Sequence, residues 1–107
     1  MTNKQIDLII KKYIKAIKAR NICIERVILF GSYARKQANK NSDIDVAVIS
    51  PDFGKDYIEE AVMLKEISED IDLDISPRPY SLEEYRKANK GEFLHDEILL
   101  KGRMIES

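Results

Sequence analysis

The residues best suited to chemistry in this chain are two acids, Asp43 and Asp45, and a glycine-led turn, Gly31-Ser32, that precedes them with ten residues between. The acids open the run Asp43-Ile44-Asp45-Val46-Ala47-Val48-Ile49, whose β-branched content reads as a strand. Side chains alternate across a strand, so both carboxylates project from one face while Ile44, Val46 and Val48 project from the other. Two carboxylates side by side repel, which raises the proton affinity of one or recruits a cation. Hard oxygen ligands suit magnesium, which takes one or two carboxylates together with substrate phosphates.

Ahead of the acids, Val27, Ile28, Leu29 and Phe30 form a short apolar run that suits a buried strand and stops at Gly31. Ser32 is a good N-cap residue, so the pattern predicts a short helix from Tyr33 to Ala38 whose N-terminus offers unpaired N–H groups to an anion. Its first turn carries Arg35 and Lys36 and no carboxylate, the reverse of what the helix dipole favours, so an anion is expected among them. Lys40 is a weaker phosphate candidate in the loop that follows, and Ser42 is expected to cap the turn before Asp43. A phosphate cradle placed ahead of a magnesium clamp implies phosphoryl chemistry.

A further acidic stretch, Ile71-Asp72-Leu73-Asp74-Ile75, alternates strictly and predicts a third strand with both acids on one face. On an average strand these would sit in solvent. Aspartate is depleted in strands, however, and a paired-metal site needs another oxygen donor that can take the proton of an attacking hydroxyl. Two residues shift a carboxylate by about 6 to 7 Å along a strand, so only one of the two serves. Asp74, between Leu73 and Ile75 in the better-defined part of the strand, is the expected one. The predicted site is therefore Asp43, Asp45 and Asp74 as catalytic and metal-ligating residues, with Gly31, Ser32, Arg35 and Lys36 on the nucleotide.

The spacing of Gly31-Ser32 and Asp43-x-Asp45 within GSYARKQANKNSDIDVAV resembles the signature of the minimal nucleotidyltransferases of the polymerase-beta superfamily, the MntA-like antitoxins of HEPN/MNT pairs among them. The resemblance spans nearly the whole chain. It implies an α+β nucleotidyltransferase fold, ATP as substrate, two Mg²⁺ ions, and a third acid matched by Leu73-Asp74-Ile75. It also implies a small helical HEPN-type partner, often a ribonuclease toxin, that receives AMP on a tyrosine. The chain departs from the pattern after Ala34-Arg35, where glycine is common and Lys36 stands here. The alternative is a non-catalytic antitoxin or complex subunit that acts by binding alone.

The remaining sequence must position these groups. Residues 3–20 read as an amphipathic helix, with Ile6, Ile9, Ile10, Tyr13, Ile14 and Ile17 at three- and four-residue steps and Lys4, Lys11, Lys12, Lys15 and Lys18 on a solvated face. A helix from Asp56 to Glu69, with Ile58, Ala61, Val62, Leu64 and Ile67 inward, joins the second and third strands as a crossover. Ser76 to Tyr80, with Pro77 and Pro79, is irregular or extended. Ser81-Leu82-Glu83-Glu84 reads as a capping box, and a last helix from Glu92 to Lys101 stops at Gly102. His95 packs or faces solvent, and Cys23 is a small buried apolar residue. The predicted fold is α+β, a small mixed sheet of three main strands with helices on one face and the acids at its edge.

At 107 residues the chain reads as a single domain with one modest core. Its net charge of -1 supplies no general field for nucleic acid. No apolar run reaches the roughly 20 residues of a membrane span, and with no signal-peptide pattern the cytoplasm is expected.

Overall fold

The computed structural model describes residues 2–39 and 41–106. The chain enters α1, Asn3–Lys18, through a reciprocal cap: Thr2 Oγ1 accepts the Gln5 N–H at 3.2 Å, and Gln5 Oε1 accepts the Thr2 N–H at 2.7 Å. The three- and four-residue stripe then buries Ile6, Ile10, Tyr13, Ile14 and Ile17. Lys15 and Lys18 in the last turn suit the negative end of the helix.

Two antiparallel strands follow, β1 (Arg26–Phe30) and β2 (Ile44–Ser50), with Phe30 opposite Asp45 and Arg26 opposite Ile49. From β2 the chain crosses through α2, Tyr57–Glu69, to β3, Ile75–Ser81, which runs parallel to β2. The Asp56 side chain caps α2 on the Glu59 N–H at 3.1 Å. Lys65 ties α2 to the start of β3 by donating to the Leu73 and Ile75 carbonyls at 3.2 and 2.6 Å. The predicted crossover is present.

The third strand lies later than predicted. Ile71 to Asp74 form a turn in which Asp72 Oδ1 accepts the Asp74 N–H at 2.8 Å, and the strand begins at Ile75. Aspartate binds its own backbone two residues on, so the alternation of this stretch serves a turn. Pro77 and Pro79 lie inside the strand, at the sheet's edge. The Ile44 N–H bonds the Asp74 carbonyl at 2.8 Å, which sets the phase of the parallel ladder: 74, 76, 78 and 80 turn their backbone groups toward β2, and 75, 77 and 79 turn theirs outward. Both prolines occupy outward positions, where a missing donor costs no ladder bond and blunts an exposed edge.

A short helix α3, Leu82–Arg86, starts at the predicted capping box: Ser81 Oγ accepts the Glu84 N–H, and Glu84 Oε1 the Ser81 N–H, both at 3.0 Å. The predicted last helix is shorter than expected, a six-residue π-helical turn over Leu94–Leu99. A fourth strand, β4 (Arg103–Glu106), was not anticipated and pairs antiparallel with β1, giving the order β3-β2-β1-β4.

Both faces of the sheet are covered, where helices on one face were predicted. Val27, Leu29, Ile44, Val46, Val48 and Ile75 pack beneath α1 and α2, and the buried Tyr13 hydroxyl joins those helices by donating to the Leu64 carbonyl at 2.8 Å. Burial pushes the Tyr13 hydroxyl well above its ordinary pKa. On the other face, Ile28, Phe30, Ala47 and Ile49 pack against Leu94 and Ile98, with Tyr80, Leu82 and Tyr85 around them. This two-sided burial explains the unbroken apolar runs of β1 and β2.

Three packing expectations are corrected. Leu64 and Ile67 of α2 face inward with Ser68, whereas Ile58 is 74% and Val62 51% exposed. Cys23 is exposed on the loop before β1, where its N–H is held by Asp52 Oδ2 at 2.8 Å. The acids lie at the start of β2, an inner strand, so they stand at the sheet's end and not along its edge. Among the described residues no helix is long and apolar enough to cross a membrane.

Candidate active site

Gly31 ends β1 with a positive φ of 73°. A Cβ built there would overlap Asp45 Oδ2 and stand 3.1 Å from its Cγ. Only a residue without a side chain lets the end of β1 lie this close to the carboxylate on β2, and the same residue adopts the left-handed backbone without strain.

After Gly31 the chain makes consecutive turns over residues 31–36 in place of the predicted helix. Only one helical hydrogen bond forms, from the Arg35 N–H to the Gly31 carbonyl at 3.2 Å, followed by a wider one from Gln37 to Ser32 at 2.9 Å. Two features stop propagation. Tyr33 is buried, 8% exposed, in the core beneath the sheet, and Lys36 takes a left-handed φ of 58° that no helix continues. The two turn bonds use the donors of Arg35 and Gln37 and leave those of Ser32, Tyr33 and Ala34 to other acceptors. Lys36 thus stands at the position where resembling proteins commonly have glycine, and the backbone here is one that glycine adopts most readily.

The connection to β2 is closed by Asn39 and Ser42. Ser42 Oγ accepts the Asn39 N–H at 2.9 Å, the Ser42 N–H bonds the Asn39 carbonyl at 3.1 Å, and Asn39 Oδ1 holds the Asn41 N–H at 2.8 Å. Ser42 serves the turn before Asp43, as expected. Lys40 lies outside the described residues.

Asp43 is exposed and Asp45 partly buried. Burial raises the Asp45 pKa most and the neighbouring Asp43 carboxylate raises it further, while the Arg78 and Arg35 guanidinium groups oppose both effects. Asp45 faces a cavity of about 380 Å³ lined by Phe30, Gly31, Arg35, Asp45, Arg78, Phe93 and Glu97. Two larger cavities, each about 580 Å³, lie beside β3 and α3 and along α2, away from the acid pair. Chemistry selects the smaller one.

The structure brings Gly31, Arg35 and Asp45 onto one cavity, whereas Asp43 precedes β2 and is absent from the lining. It does not bring Asp74 into the cavity. Asp74 is exposed on the turn before β3, and its backbone lies beside Ile44 through the bond already described. Among the described residues no group of three or more acids, histidines or cysteines is placed to hold a metal ion. Ser32 and Lys36 flank the cavity without lining it, and Lys36 is exposed. His95 is bound to its neighbour, Nδ1 lying 2.7 Å from Asp96 Oδ1, and is absent from the lining.

Arg78, Phe93 and Glu97 were not read from the sequence. Arg78 belongs to β3, two residues past the partner of Asp45 and therefore on the same sheet face, but that register is invisible until the strand is placed at Ile75–Ser81. Phe93 and Glu97 reach the cavity from the π-helical turn.

Residues 10–100 match the nucleotidyltransferase domain family. The chain belongs to that family. A curated relative from Methanocaldococcus jannaschii, named "Putative protein adenylyltransferase MJ1215", is 35% identical over 72 residues, covering 60% of this chain and 83% of that protein. Two solved structures are similar over 89% of this chain and 70% of theirs. One is a toxin-antitoxin with AMP-PNP, at TM-score 0.56 and 28% identity. The other is a mutant of the toxin-antitoxin MntA-HpeT, at TM-score 0.55 and 25% identity.

Proposed function

We propose that this nucleotidyltransferase moves AMP from ATP to a hydroxyl, that of a tyrosine on a small helical HEPN-type partner toxin. The observation that carries the reading is the Gly31–Asp45 approach, which puts the glycine turn and Arg35 on one cavity with Asp45, which follows Asp43 and Ile44 at the start of β2. The adenylyltransferase name of the M. jannaschii relative and the toxin-antitoxin context of the similar structures support the acceptor class.

The donor set fits a divalent cation. Asp45 already carries a raised proton affinity beside Asp43, which a metal ion would relieve, and two carboxylates plus phosphate oxygens are what magnesium takes. Asp43 and Asp45 would hold Mg²⁺, two ions in the full site, with Asp74 as the third carboxylate. When bound, the metal supplies positive charge at the triphosphate and the attacked phosphorus. The N–H groups of the Ser32 turn hold the β- and γ-phosphates, with Arg35 and Lys36 beside them. Asp74 takes the proton of the acceptor hydroxyl. The hydroxyl oxygen then bonds to the α-phosphorus as the α-phosphorus to β-phosphate oxygen bond breaks, and pyrophosphate leaves.

The test is transfer of label from α-labelled ATP onto the partner in the presence of Mg²⁺. Asp43→Asn with Asp45→Asn, which keeps shape and removes ligand charge, should abolish labelling while the thermal midpoint is retained or raised. The position of Asp74 outside the cavity favours one rival, an antitoxin that acts by binding alone. Inhibition of the partner by wild-type protein without any label transfer would establish that rival.

A further inference from the structure

We propose, on the nucleotidyltransfer reading above, that Arg78 is a substrate-contacting residue that binds non-bridging phosphate oxygens of the nucleotide from the side of the cavity opposite Arg35. Arg78 lies on β3 level with Ala47, and Ser76 is level with Asp45, so strand alternation puts Arg78 one step along the row that carries Asp45. Its guanidinium carbon lies 4.5 Å from the Phe93 ring centroid and 6.0 Å from that of Phe30. The two rings meet edge to face with centroids 5.9 Å apart, so they form a rigid seat.

A cation–π contact uses the face of the guanidinium and leaves its N–H edge to polar partners, the Tyr80 hydroxyl among them. Among the described residues no carboxylate stands within 4 Å of Arg78, whereas Arg103 is held by both oxygens of Asp7 and Arg26 bonds the Tyr85 hydroxyl. Arg78 is therefore seated on two rings, exposed, and part of the lining of the cavity that Asp45 also lines, with the Tyr80 hydroxyl as a polar neighbour. A planar fork of five donors, not consumed by one hydroxyl and standing on the cavity of Asp45, matches phosphate geometry, which a lysine on the same seat would not. Phe93 is then a positioning residue: its 46% exposed ring holds the guanidinium plane and touches no reacting atom.

The test is calorimetric titration of the intact chain with AMP-PNP and Mg²⁺ across a salt series, for wild type, Arg78→Gln, Arg78→Lys, Phe93→Leu and the control Arg86→Gln on α3. Loss of one charge-assisted contact predicts Arg78→Gln weaker by roughly 10- to 100-fold and its salt slope shallower by about one. Arg78→Lys should recover the slope but only part of the affinity, Phe93→Leu should fall between, and Arg86→Gln should match wild type. Thermal midpoints identify any variant that fails to fold, in which case Arg78→Lys against Phe93→Leu decides on the same criteria. Wild type that binds, with Arg78→Gln of equal affinity and slope, overturns the Arg78 assignment alone. Wild type that does not bind AMP-PNP with Mg²⁺ overturns the nucleotidyltransfer reading, and Arg78 falls with it.

Discussion

Asp45 Oδ2 occupies the space that a Cβ on Gly31 would need. The glycine of the turn and the second acid of the strand are thus one packing unit, and a side chain added at Gly31 must displace the carboxylate. Gly31→Ala must both hold a left-handed φ of 73° and displace the carboxylate. The backbone alone costs about 1 to 2 kcal/mol, or roughly 4 to 16 °C in a domain of this size. The expected outcome is a folded but less stable protein that has lost most Mg-dependent nucleotide affinity, checked by thermal melting and calorimetry on the same preparation.

Asp45 illustrates function set against stability. Its folded pKa is raised, chiefly by burial and then by Asp43, so the folded state binds more protons than the unfolded one between the ordinary aspartate value and the raised one. Stability falls as pH rises through that window and stays lower above it. Asp45→Asn removes the penalty. The variant should melt a few degrees above wild type at neutral pH, with the advantage shrinking as pH drops toward the ordinary aspartate value. Nucleotide binding should follow the opposite course, since metal ligation needs the carboxylate ionised: wild-type affinity for Mg-ATP should fall on acidification sooner than an ordinary aspartate would allow.

The end of β1 at Gly31, the strand through Asp45 and the crossover through α2 were legible because each is local: a punctuating glycine, a period-two run, a capped period-3.6 helix. The errors came where local pattern and tertiary setting diverged. Ile71 to Ile75 alternates like a strand, yet Asp72 spends its side chain on the Asp74 N–H and makes a turn. Pro77 and Pro79 argue against a strand, yet the outward phase of an edge strand tolerates both. Once the strand moves, Arg78 moves onto the row of Asp45, and no sequence signal short of the register could have put it there. The four-residue β4 is too short for periodicity to reveal.

Lys36 offers a separation of backbone from charge. Its φ of 58° is strained for lysine and easy for glycine, so Lys36→Gly relieves about 1 kcal/mol and returns most of it as unfolded-chain entropy. Stability should be unchanged or slightly higher. Lys36→Val, β-branched at the same φ, should lose more than about 1 kcal/mol. The ammonium is exposed, so its removal should weaken Mg-ATP binding only about two- to fourfold. A larger loss in Lys36→Gly, with the midpoint held, would mark Lys36 as a principal phosphate contact.

Asp72 and Asp74 can be told apart by what their side chains do. Asp72 Oδ1 holds the turn by accepting the Asp74 N–H, a role asparagine can fill and alanine cannot. Asp72→Asn should therefore be nearly silent, whereas Asp72→Ala should cost about 1 kcal/mol of stability and leave label transfer per folded molecule intact. Among the described residues the Asp74 side chain has no such duty: its backbone carbonyl anchors Ile44 next to Asp43, and its carboxylate is exposed at the same end of the sheet. That placement suits a group that meets the acceptor as it arrives. Asp74→Asn is expected to cut single-turnover transfer by roughly 10²- to 10⁴-fold, the range of a lost general base, with stability and Mg-ATP affinity near wild type. If transfer survives in Asp74→Asn and falls in Glu97→Gln, the proton acceptor is the acid that lines the cavity from the π-helical turn. If it survives in both, Asp43 and Asp45 suffice.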